Sequence, residues 1–197
     1  MLLFSNKNYH KPPADPRSMA KSDSFFIRAS VTSSGATFQQ SEIDLGSFVN
    51  LGVTKSTLLR IHNISVQYAH ATAPSTQISD GTGNKIGFQL TTQSQTDLVY
   101  ADDKSLVSSG ALALGAGYIA PDGSATADFA TNNWQQDLDI GPQQWTKGYL
   151  IGVDSMFLGV DLYGALDSGE VKVSVVMECT LETATQASST ALALSQQ

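Results

Sequence analysis

Three histidines, one cysteine and scattered carboxylates are the residues whose types suit chemistry, and their spacing argues against most of it. His10, His62 and His70 show no HxH or HxxxH spacing, and Cys179 has no CxxC partner, so no zinc site is expected. A nucleophilic serine would need an elbow such as GxSxG, which is absent, and no Walker or Rossmann glycine pattern occurs. The stretch Gly81–Lys85 (GTGNK) lacks the spacing and the following helix of a phosphate loop, and is expected to be a hairpin turn. Carboxylates are more numerous. Asp102, Asp103, Asp137, Asp139, Asp154, Asp161 and Asp167 fall in or beside expected loops, where they would offer oxygen ligands to Ca²⁺. No EF-hand spacing accompanies them, so a solvated acidic surface is expected instead. The residues therefore point to no catalytic group, no metal and no cofactor.

The elements that would position these groups are strands. From Val171, the residues Val171, Val173, Val175, Met177, Cys179 and Leu181 share one parity, while Lys172, Ser174, Glu178, Thr180 and Glu182 take the other. Only Val176 breaks the alternation. Successive strand side chains point to opposite faces, so this period of two predicts a strand with one dry face. Cys179 lies on that face as a small buried hydrophobe. A second run, Tyr149 to Tyr163, changes phase at Asp154-Ser155, which predicts a bulge or tight turn. The loop Gly164–Gly169 would join the two runs as an antiparallel pair.

Further strands are expected at Ser24–Thr32, at Ala36–Leu45, and at Thr57–Tyr68 with a slip at His62-Asn63. Lys85–Thr92, Thr96–Ala101 and Trp134–Ile140 complete the set. The Ala/Gly/Ser-rich segment 105–133 reads as a long insertion holding one or two short strands, and a connection of that length is usually functional or interfacial. The tail 183–197 reads as low-complexity, either disordered or docked on a neighbour. Trp134 and Trp145 are expected to anchor the sandwich rim. Eight or so strands with long connections and almost no helix predict an all-β fold. The expected form is an antiparallel β-sandwich, in its eight-stranded jelly-roll version, spanning 24–182.

Charge is sparse and uneven. Only 15% of the 197 residues are charged, below the roughly 25% usual for soluble proteins. The net charge is −7, yet residues 1–30 hold Lys7, Lys11, Arg17, Lys21 and Arg28 against Asp15 and Asp23. Residues 1–23, with Pro12, Pro13 and Pro16, read as a flexible basic arm, and Lys7, Lys11, Arg17, Lys21 and Arg28 are expected to contact nucleic acid or a neighbouring subunit. The opening MLLFSNKNYHK has too short an apolar run for a signal peptide, and no stretch reaches bilayer-spanning length.

A basic arm (Lys7 to Arg28), eight-strand bookkeeping from Phe25 to Glu182, and long loops before a strong C-terminal strand pair resemble the single jelly-roll coat proteins of small icosahedral viruses. The resemblance implies a structural virion protein, not an enzyme, that self-assembles into a shell of identical subunits around a viral genome. It also implies an arm that faces the genome or a neighbour. The scarcity of arginine and the acidic body depart from many members of that family. The competing expectation is a β-sandwich binding module of tail-fibre, adhesin or carbohydrate-binding type, with Ca²⁺ as an optional aid.

Overall fold

Val171–Thr185 is a long central strand whose apolar parity faces the core, with a strand paired on each side of it. We label the strands β1 Phe25–Ser33, β2 Gln39–Asp44, β3 Lys55–His70, β4 Asn84–Thr91 and β5 Leu106–Leu114. They continue with β6 Trp134–Ile140, β7 Tyr149–Ile151, β8 Ser155–Leu162 and β9 Val171–Thr185, and a helix α1, Gln186–Ser195, closes the chain. The computed structural model describes residues 23–35, 37–76, 78, 84–114, 134–166 and 169–196.

Strand β9 lies between β1 and β3. Met177 stands opposite Ile27 on one side and Ile64 on the other, and Val175 opposite Ala29 and Val66. The register shifts between Ile61 and Asn63, where β3 bulges, at the slip expected from the sequence. These inward residues meet Ile86, Phe88 and Leu90 of β4 and Met156, Leu158, Val160 and Leu162 of β8 in one buried cluster. At about 1.5–3 kcal/mol per fully buried large apolar side chain, this layer dominates the stability of the fold.

The chain is an all-β antiparallel sandwich of two sheets, ordered β1-β9-β3-β7 and β2-β8-β4-β5-β6. With β6 set aside and the rest renumbered, the orders read 1-8-3-6 and 2-7-4-5, which is jelly-roll connectivity. Strand β6 is a ninth strand added at the edge beyond β5. Its presence beside β5 depends on Gly110, where a Cβ would lie 2.5 Å from the Asp137 carbonyl oxygen and 2.8 Å from Phe88 Cε1.

Several expectations are corrected or refined. The runs ending at Tyr163 and beginning at Val171 do not pair: β8 lies in the second sheet and β9 in the first. The phase change at Asp154-Ser155 is likewise a change of sheet, since β7 pairs with β3 and β8 with β2 and β4. Thr96–Ala101 is a loop, held by the amide of buried Gln89, which donates to the Asp97 carbonyl (2.9 Å) and accepts from Val99 N–H (2.7 Å). Leu106–Leu114, assigned to the 105–133 insertion, is a strand of the second sheet; residues 115–133 lie outside the described residues.

The tail is not loose either. Thr185 caps α1 by accepting from Ser188 N–H, and Ala187, Ala191 and Ala193 are good helix formers. The helix docks on its own sandwich through polar groups. The buried hydroxyls of Ser189 and Ser56 lie 2.9 Å apart. Buried Gln196 accepts from Gly152 N–H (2.9 Å), donates to the Leu150 carbonyl (2.7 Å), and receives the Thr92 hydroxyl on its own carbonyl. Replacing Gln196 by alanine is expected to cost about 1–3 kcal/mol, because the Leu150 carbonyl of β7 and the Gly152 N–H just after it lose their partners. Thermal denaturation with hydrogen exchange at Gly152 checks this: the amide should lose protection before the core melts.

Candidate interaction surfaces

The five basic residues predicted to make contacts do not share one element. Lys7, Lys11, Arg17 and Lys21 lie outside the described residues. Arg28 does not belong to an arm: it sits within β1, paired with Val176 of β9. Its guanidinium lies 5.7 Å from the ring centroid of Phe26, two residues along the same face. Phe26 is 54% exposed, so this pair forms an apolar and cationic spot at the β1 edge of the first sheet. Around it the outward positions mix small polar residues, Ser30 and Thr32 on β1, Ser174 on β9, Ser65 and Gln67 on β3, with Glu178 opposite Phe26 and Lys172 opposite Thr32.

His62 and His70 do not converge, and His10 lies outside the described residues. His62 Nε2 lies 2.8 Å from the Thr180 hydroxyl, and His70 Nδ1 accepts from Thr72 N–H. Among the described residues no group of three His, Cys, Asp or Glu side chains comes together to hold a metal. The carboxylates serve local ends. Asp103 accepts from Ser105 N–H and Oγ, which draws its carboxyl below the usual range, and Asp161 accepts from Leu162 N–H. Asp137 and Asp139 lie on β6, and Asp154 follows β7, so the acidic residues are spread over both sheets. Asp167 lies outside the described residues.

Cys179 is fully buried between β1 and β3. Burial pushes its thiol up to about 12, opposed by the Ile27 backbone and reinforced by Glu178. Tyr68 moves in the same direction, through burial first and the Asp139 charge second. Both groups keep in the folded state a proton that the unfolded chain releases earlier, near 9 for the thiol and 10 for the phenol. Their stabilising share is therefore full below pH 9 and is lost as pH climbs through the folded values. Two results are expected: a thiol reagent at pH 8 leaves the native protein unlabelled, and alkaline titration lowers the melting temperature from about pH 9 upward. Stoichiometric labelling of native protein at pH 8 would contradict the placement.

Two of the clefts among the described residues carry aromatic side chains. One, of about 510 Å³, lies between α1 and the β7 region and is lined by Arg60, Trp145, Tyr149, Leu192 and Gln196. Its polar groups are already engaged. Arg60 grips Glu182 through Nε and Nη2 and donates from Nη1 to the Lys147 carbonyl (2.6 Å), while Gln196 holds β7. Trp145 packs near Tyr149, with ring centroids 5.7 Å apart, which agrees with the expected rim anchor. The other cleft, of about 430 Å³, lies on the outer face of the second sheet between the Leu98–Ala101 loop and β6. Tyr100 stands beside it at 87% exposure. Nothing in the sequence marked this cleft, because it depends on Gln89 folding the 92–104 connection back over β4; a glutamine at a position flanked by core residues was the available signal.

Among the described residues no helix is long and apolar enough to cross a membrane. Compared with protein-family models and with curated proteins, the chain matches none.

Proposed function

We propose that this protein is a non-enzymatic structural component of a virion, a coat subunit that self-assembles into a shell around a viral genome. The observation that carries the reading is the strand order, a complete double-sheet jelly roll extended at one edge by β6. Shell-forming domains are among the recurrent users of that architecture. The surface supports the same reading. Hydroxyl and amide groups such as Ser30, Thr32, Ser65, Gln67 and Ser174 cost less to desolvate than charged groups, so copies can pack on such a face without matched ion pairs. Phe26 and Arg28, types enriched at the centres of interfaces, would anchor that contact.

The acidic body repels nucleic acid, so genome contact falls to Lys7, Lys11, Arg17 and Lys21. The test is to express the full chain beside a variant with these four residues changed to Gln, and to measure sedimentation and the 260/280 nm absorbance ratio. Particles that contain nucleic acid in the parent and lose it in the variant support the reading. Equal nucleic-acid content in both assigns the four residues to contacts between subunits. A chain that neither associates nor retains nucleic acid contradicts the proposal.

A further inference from the structure

We propose that the cleft on the outer face of the second sheet is a binding site for a neutral saccharide. Its floor is made of short residues, Ser109 and Ala111 on β5, beside Gly87 on β4, whose place above the backbone is taken by Leu98 of the loop. One wall is the Leu98–Ala101 loop carrying Tyr100, the other is β6 with Asp139, and Lys85 also lines the cleft. At about 430 Å³ the space suits one or two sugar rings and falls within the range of small-ligand sites.

The chemistry of the lining selects the ligand class. Asp139 offers an acceptor, Lys85 a donor, and the Ser109 hydroxyl both, and the Asp139 charge also reaches Tyr68. A polyol uses donors and acceptors together, and the face of an exposed tyrosine matches the C–H side of a pyranose ring. Charge disfavours an anionic ligand. The loop carries Asp97, Asp102 and Asp103 against Lys104, and β6 carries Asp137 and Asp139, so an anionic sugar or a nucleic acid meets a negative field. A cationic ligand is drawn by the same field and opposed by Lys85, so it is the competing ligand class that the test must separate. The wall is also set before any ligand arrives, since buried Gln89 holds it at Asp97 and Val99, which lowers the entropy cost of binding. The Trp145 cleft, between α1 and β7, lacks this character, because its polar side chains are engaged within the protein.

Saturation-transfer NMR on the full chain tests the assignment, and it reads equally well on a single subunit or on a large assembly, so it stands apart from the coat reading. The probes are methyl glucoside, methyl galactoside, methyl mannoside and N-acetylglucosamine, with lactose and maltose as disaccharides. Sialyllactose serves as the anionic control and a Lys/Arg peptide as the cationic one. Transfer to at least one neutral sugar is expected, with affinity falling about tenfold in Tyr100→Ala and in Asp139→Asn, the factor that ~1.4 kcal/mol represents. Tyr100 is almost wholly exposed, so its variant keeps the fold, which circular dichroism verifies. The proposal is overturned if no neutral sugar in the panel gives transfer, if both variants bind as the parent does, or if a charged control binds more tightly.

Discussion

Replacing Phe88 by alanine lowers the stability of the domain by about 3–5 kcal/mol, the range measured for emptying a large aromatic site in a packed core. Phe88 is the residue where three strands and both sheets meet. On β4 it stands opposite Val160 of β8 and Gly110 of β5, and its ring meets Tyr68 of the facing sheet edge-on, with centroids 6.3 Å apart. The glycine opposite gives the ring its space, and the neighbouring strands are fixed by their own ladders, so they cannot collapse into the void. Urea denaturation checks this: the midpoint should fall while the slope stays constant. A loss under about 1 kcal/mol would mean that the sheets close up over the site, and that the core is less tightly specified than the register implies.

Gly148→Ala is the second large effect, and its origin is backbone rather than side chain. Gly148 has φ +64°, which costs an L-residue roughly 1–2 kcal/mol. A Cβ there would also sit 2.2 Å from the Ile61 carbonyl oxygen, at the β3 bulge that faces β7. Overpacking of this kind costs a further ~1–3 kcal/mol. The expected loss is about 2–5 kcal/mol, accompanied by faster exchange of the β7 amides as the three-residue strand detaches from Leu59–Ile61. Unchanged stability would show that β7 is not held where we place it.

Both effects follow from packing that the sequence made partly legible. The alternation from Val171 was readable because one face of β9 is dry along its length, and the slip at His62-Asn63 because a bulge exchanges inward and outward parity. Partner choice was not readable. In a sandwich the inner faces of both sheets look alike, so the phase change at Asp154-Ser155 disclosed a turn but not that the chain leaves β3 for β2 and β4. Leu98 and Tyr100 alternated like a strand although no partner was available. The loop they occupy is fixed by one glutamine amide, a contact without periodicity. The tail escaped for a related reason: α1 docks through Ser189 and Gln196 rather than an apolar stripe, so no amphipathic pattern announced it. Of the candidate contact residues, Arg28 was misplaced because a basic residue near a proline-containing start reads as part of an arm, whereas its parity with Phe26 already belonged to β1.

The central claim is self-association into a closed shell, and the mass and shape of the purified full chain test it most directly. Light scattering and negative-stain microscopy should give uniform particles, with a mass many times the 20.9 kDa of one subunit. Removal of residues 1–23 should shrink or abolish them. A monodisperse 20.9 kDa species across protein and salt concentrations would contradict the account and leave the jelly roll as a binding module.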